Sequence, residues 1–135
     1  MLLLVLPLLA AAACQPNVLR NCIPAPSPAV NVTIVDAATG AYLAADATAV
    51  AADGSFQETL EPGDHAPTGE LASRQGAFGR AGTYTLTVTH PGYADWQGQA
   101  TARRGSCGVE TTAVRAELVR SPPAPAPTRT PTSAE

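Results

Sequence analysis

Hydrophobic and polar positions alternate most clearly at two places. In VNVTIV, Val30, Val32 and Ile34 share one parity, and Asn31 and Thr33 take the other. Period two over this run predicts a strand with one buried face. In GTYTLTVTH, Tyr84, Leu86 and Val88 alternate with Thr83, Thr85, Thr87 and Thr89. Threonine suits a solvated strand face because its β-branched side chain fits the pleat. Turn residues punctuate the rest. DAATGAYL, residues 36–43, reads as a turn through Asp36 and Gly40. Asp53-Gly54 separates the runs 47–52 and 55–60, which predicts a hairpin with a type I′ turn. Pro91-Gly92 ends the strand within residues 78–90, with Gly92 placed for the positive φ of a type II turn. Residues 97–102 predict another strand, and Arg103-Arg104-Gly105-Ser106 its turn. Residues 108–119 predict the last strand. There Val109 is out of phase with Val114, Ala116 and Leu118, which calls for a bulge or for burial of both faces.

Between the hairpin and the Thr-rich strand, residues 61–77 carry no period. A patternless stretch of this length inside a domain is expected to be a functional or mobile loop, and it is the surface expected to be most available to a partner. Six or seven short strands, spaced roughly 8–12 residues apart without an amphipathic helical period, predict an all-β sandwich or small barrel.

Composition narrows this picture. Hydrophobic residues make up 45% of the 135, but aromatics only 4%, and 27 residues are Ala. Much of the apolar content therefore buries little area, and the core must come from a few Val, Leu, Ile and aromatic side chains. The formal net charge is −3, with 8 basic residues, all of them Arg. A dense basic face is missing, which argues against a nucleic-acid partner.

Residues 1–13, MLLLVLPLLAAAA, contain no polar side chain. As a helix they would rise about 20 Å, short of the roughly 30 Å of a bilayer core, so they read as the apolar region of a signal peptide. The small residues before Cys14 resemble the lipobox of bacterial lipoproteins, in which the cysteine is acylated. Ala11 stands where that motif usually has Leu, and the basic segment that normally precedes it is missing, which points to a start codon further upstream. The resemblance implies lipidation at Cys14 and, with Gln15 next rather than Asp, sorting to the outer membrane or cell surface. Residues 14–29, with Pro24, Pro26 and Pro28, then form a linker, residues 30–119 the sandwich, and residues 120–135 a Pro-rich extended tail. With Cys14 acylated, Cys22 and Cys107 remain. An oxidising compartment permits a disulfide between them, and two buried free thiols are the alternative.

The segment AGTYTLTVTHPGYADW, residues 81–96, resembles the signature of carboxypeptidase regulatory-like domains through Gly82, Tyr84, Leu86, Val88, Gly92 and Tyr93. The opening strand and the turn Asp36, Thr39, Gly40 are similar to the start of those domains. The resemblance implies a transthyretin-like (prealbumin-like) Greek-key β-sandwich of about seven strands. For secreted members it also implies a cysteine in the closing strand, here Cys107, paired with one near the N-terminus, here Cys22.

Candidate chemistry is sparse. The related hydroxyisourate hydrolases end in a Tyr-Arg-Gly-Ser tetrad, whereas this chain has Glu117-Leu118-Val119-Arg120. Asp64-His65 lacks the Gly-x-Ser-x-Gly context of a serine hydrolase. Glu58 and Glu61 read as solvated carboxylates, and Glu61, Asp64 and Glu70 lack calcium-loop spacing. His90 ends a strand as a structural side chain, and Arg103-Arg104 reads as a solubilising pair. No catalytic residue, cofactor or metal is expected. The expected function is a non-catalytic structural or protein-interaction module at the cell envelope, with the membrane and an envelope protein as partners. The alternative is a glycan- or small-ligand-binding sandwich that stacks its ligand on Tyr93 and Trp96.

Overall fold

A computed structural model describes Cys22, residues 25–123 and Pro127. Cys14 and the signal segment lie outside the described residues, as does most of the tail. The described chain is all-β, with no helix. Its strands are β1 (Val30–Asp36), β2 (Thr48–Asp53), β3 (Phe56–Thr59), β4 (Glu61–Pro62), β5 (Ser73–Gly76), β6 (Gly82–Thr89), β7 (Trp96–Ala102), β8 (Arg104–Gly105), β9 (Gly108–Val109) and β10 (Thr112–Leu118). One mixed sheet has the order β10-β1-β5-β4 and an antiparallel sheet the order β3-β2-β6-β7, while β8 and β9 form a separate small hairpin.

The alternation seen in the sequence decides which side chains meet between the sheets. Val30, Val32 and Ile34 from β1, with Ala116 and Leu118 from β10, lie against Ala49 and Ala51 from β2, Tyr84, Leu86 and Val88 from β6, and Ala100 and Ala102 from β7. Two sheets burying one shared core is the arrangement of a β-sandwich. Each fully buried Val or Leu contributes about 1.5–3 kcal/mol. Among the described residues eleven of the twenty-one buried apolar side chains are Ala, however, so the core is thin. The outer face of the antiparallel sheet is a grid of Thr and Gln, with Thr83 opposite Thr101, Thr85 opposite Gln99 and Thr87 opposite Gln97.

Four sequence expectations are corrected. The hairpin loop is Gly54-Ser55, since Asp53 pairs with Phe56. Gly54 alone has positive φ, +58°, which fits type II′ rather than type I′, where both central residues need φ > 0. Residues 61–77 are not a free loop. β4 pairs with β5, β5 pairs with β1, and His65 bridges Leu71. The period was invisible because β4 is only two residues long and Arg74, opposite Val32, breaks the apolar parity. Its guanidinium is satisfied by the carbonyls of Ala44 (2.9 Å) and Ala45 (3.1 Å). The last strand is not bulged but broken at Glu110-Thr111, and Val109 pairs back with Arg104. The predicted turn at 103–106 is accordingly shifted, with Arg104 and Gly105 in a strand. The type II reading of Pro91-Gly92 holds, with Gly92 at φ +80° and the Tyr93 amide donating to the His90 carbonyl at 3.1 Å.

The terminal strands β1 and β10 are parallel neighbours, Val30 beside Thr112 and Asp36 beside Leu118. The chain therefore enters the sandwich at one pole and leaves it at the other. Thr112 Oγ1, donating to the Thr101 carbonyl at 2.7 Å, joins the two sheets at the entry pole.

Candidate functional site

Two polar clusters and one disulfide stand out. The first cluster is at the exit pole. Asp36 ends β1 with its side chain pointing into the protein, and it is only 2% exposed. Its Oδ1 accepts the amides of Ala38 (2.8 Å) and Thr39 (3.0 Å), so the carboxylate builds the turn that follows β1. Its Oδ2 accepts the Tyr93 hydroxyl at 2.6 Å and Arg120 Nε at 3.1 Å. Tyr93 is half-buried. Its ring meets His90 edge to face at 4.9 Å, and the Arg120 guanidinium lies 5.7 Å from the ring centre. Backbone bonds reinforce the corner: Tyr93 bridges Arg120, the Ala94 amide donates to the Val119 carbonyl, and the Ser121 amide to the Gly92 carbonyl.

A buried carboxylate is tolerable when its oxygens are fully hydrogen-bonded and a cation is near. The Tyr93 hydrogen bond first, and the Thr39 amide next, hold Asp36 far below the usual carboxylate range against the opposing effect of burial. The same bond, with burial, pushes the Tyr93 hydroxyl up. Asp36 likewise raises Arg120.

The second cluster closes the opposite end of the core. Tyr84 is fully buried and its hydroxyl donates to the Arg80 carbonyl four residues upstream, the arrangement called a tyrosine corner in sandwich domains. Arg80 donates to Asp53 at 2.9 Å and to the Tyr84 hydroxyl at 3.2 Å, and its guanidinium sits 4.2 Å from the Phe56 ring centre. Tyr84, then Asp53, push the Arg80 guanidinium up.

Cys22 and Cys107 form a disulfide, with their Cα atoms 5.1 Å apart across a sequence separation of 85. It fastens the segment before the first strand to the turn of the β8–β9 hairpin.

Of the two residues predicted to stack a ligand, Tyr93 has its hydroxyl committed to Asp36. Trp96 is half-buried, packs against the core, and lays its ring over Gly98. The two share one end of the sandwich, each within the protein's own packing. The other candidates are dispersed. Asn31 donates to Asp64 at 2.6 Å from the start of β1, the Ala77 amide donates to Glu58, and Thr68 donates to Glu70. Among the described residues no group of three or more His, Cys, Asp and Glu is placed to hold a metal ion. Sequence reasoning missed Arg120, which it assigned to the tail, and the burial of Asp36, which it read only as a turn former. Neither a protein-family model nor a curated protein matches the chain.

Proposed function

We propose that this chain is an exported lipoprotein, acylated at Cys14 and held at the bacterial outer membrane or cell surface. Its sandwich acts as a structural or protein-interaction module rather than a catalyst. The observation that carries the reading is the Cys22–Cys107 disulfide. Such bonds form and persist in oxidising compartments, which agrees with the apolar, lipobox-like segment ahead of Cys14.

The sandwich is a carboxypeptidase regulatory-like domain with transthyretin-like Greek-key topology. The tyrosine corner at Tyr84 supports this. So does the role of Gly92 and Tyr93, which close the turn that the signature contains. A non-catalytic role is supported by how the polar groups are used. Asp36, Tyr93, Arg80 and Asp53 all spend their hydrogen bonds on closing the fold.

Labelled fatty acid fed to expressing cells tests the anchor. The wild-type chain is expected to incorporate label and fractionate with membranes, and Cys14→Ser to lose both. Equal labelling of the two chains, or none in the wild type, refutes the reading.

A further inference from the structure

Six arginines lie among the described residues, and four are committed to the fold. Arg74 donates to the Ala44 and Ala45 carbonyls, Arg80 pairs with Asp53, Arg115 with Glu117, and Arg120 with Asp36. Arg103 and Arg104 differ. Both are exposed, and among the described residues neither guanidinium has a hydrogen bond or an ion pair. They are adjacent, at the root of the β8–β9 hairpin whose turn carries Cys107. The Glu110 carboxylate lies against Gly105 in the same hairpin region. On a chain of net charge −3, these two uncommitted cations stand out from the rest of the surface.

The disulfide decides where they are held. Without it, the linker from Cys14 to β1 would be 16 positions long, and the sandwich could turn freely above an anchoring surface. With it, the mechanical tether ends at Cys22, eight positions after Cys14. Eight residues reach at most about 28 Å, and the Cα atom of Cys107 is 5.1 Å from that of Cys22. The point pulled toward the anchor is therefore the β8–β9 hairpin, not the start of β1.

We infer that the β8–β9 hairpin is a membrane-contact surface, with Arg103 and Arg104 resting on anionic lipid headgroups. The orientation part of this inference rests on acylation at Cys14. The charge part does not. Guanidinium groups bind phosphate oxygens through paired donors, and a basic side chain near an anionic bilayer gains binding that decays within a Debye length of roughly 8–10 Å. Seated this way, the sandwich stands on its entry pole, and β10 carries the chain away from the membrane.

The test uses the full chain, purified from expressing cells, with phosphatidylcholine vesicles that contain or lack phosphatidylglycerol. The quantity read is the ratio of partition into anionic over neutral vesicles. The double variant Arg103→Gln/Arg104→Gln is expected to lower that ratio by about 5-fold per arginine removed, and high salt to remove the difference. Anionic vesicles should also slow amide exchange in residues 104–109 of the wild type. Since neither side chain is used in the fold, the variant keeps its disulfide and its thermal transition, and both are measured alongside. An unchanged ratio in the folded double variant overturns the inference. Acylation is read separately by intact mass. An unacylated chain that still prefers anionic vesicles counts against the anchor and for the hairpin. An acylated chain with no preference counts against the hairpin alone.

Discussion

Removing the Cys22–Cys107 bond should cost this domain an unusually large share of its stability. The perturbation is Cys22→Ser/Cys107→Ser, or reduction of the native protein. The bond closes a loop of sequence separation 85, for which the chain-entropy relation gives about 4.5 kcal/mol at 25 °C. Both cysteines are exposed, so serine at either position forfeits little buried surface, and the cost is almost entirely that of the lost cross-link. For a domain near 100 residues each kcal/mol is worth about 4–8 °C. A loss of about 3–4.5 kcal/mol, native constraint being somewhat below the ideal figure, then lowers Tm by about 12–36 °C. A core in which eleven of the twenty-one buried apolar residues among those described are alanine has little reserve to absorb this. Calorimetry of the oxidised and serine forms at equal pH, with urea titration for the free energy, makes the measurement. A fall in Tm under about 5 °C would mean that the bond holds the hairpin without stabilising the sandwich, and would refute the reasoning.

The remaining predictions concern the exit pole and the β7 edge. Asp36 titrates far below its ordinary value of 3.8 when folded. The stability it supplies is therefore complete well above that value and is lost progressively as the pH falls through it and below. Asp36→Asn should flatten the acid limb of a Tm-against-pH curve between about pH 5 and 2, and an unchanged acid limb would count against a charged Asp36. Tyr93 is shifted upward, so its contribution is present below about pH 10 and is lost as the hydroxyl ionises in the folded state. Tyr93→Phe should lower stability at neutral pH and remove that alkaline loss. A Cβ at residue 98 would overlap the Trp96 ring, so Gly98→Ala should displace the indole and red-shift its emission. Unchanged fluorescence would mean that the ring does not lie on Gly98. Leu86→Ala, at 1% exposure, should cost about 2–5 kcal/mol by urea titration.

How much of this was legible depends on what each residue answers to. β1 and β6 were readable because one face is apolar and the other polar, and local alternation carries that information. Gly92 was readable because a type II turn demands positive φ there and Pro91 fixes the position before it. β5 was not readable: Ser73-Arg74-Gln75-Gly76 has no apolar stripe, and it is a strand only because β1 and β4 lie on either side of it. The hairpin at 104–109 was misread because Val109 belongs in register to Arg104 rather than to β10. The exit-pole cluster was half legible. Asp36, Thr39 and Gly40 announce a turn locally, but the partners that bury Asp36 stand 57 and 84 positions away. No single-sequence pattern links charges at such separations, whereas the Cys22–Cys107 pairing was expected, with two free thiols as the alternative, from the two cysteines left beside Cys14 and from the family resemblance.

The parallel pairing of β1 and β10 explains why the sandwich needs a clamp at each pole, and it predicts how the two clamps combine. An antiparallel terminal pair would bring the chain ends together, and one fastening would hold both. Here they are separated by the length of a seven-residue strand, about 23 Å. At the entry pole the segment before the first strand is held by backbone bonds at Ser27 and Ala29 and, farther out, by the covalent bond from Cys22 to Cys107. At the exit pole the chain after β10 is held by Arg120 and Ser121 reaching the Gly92–Tyr93 turn, with Asp36 as the shared acceptor beneath. Sites this far apart without common partners combine additively to within about 0.5 kcal/mol. Reduction and Asp36→Asn together should therefore destabilise by the sum of their separate effects in urea titration at neutral pH. A combined loss that differs from the sum by more than about 1 kcal/mol would show that the two clamps act through one structural unit. Additive losses would mean that each pole is closed by its own device. The entry pole could then be pulled against a membrane without loosening the exit.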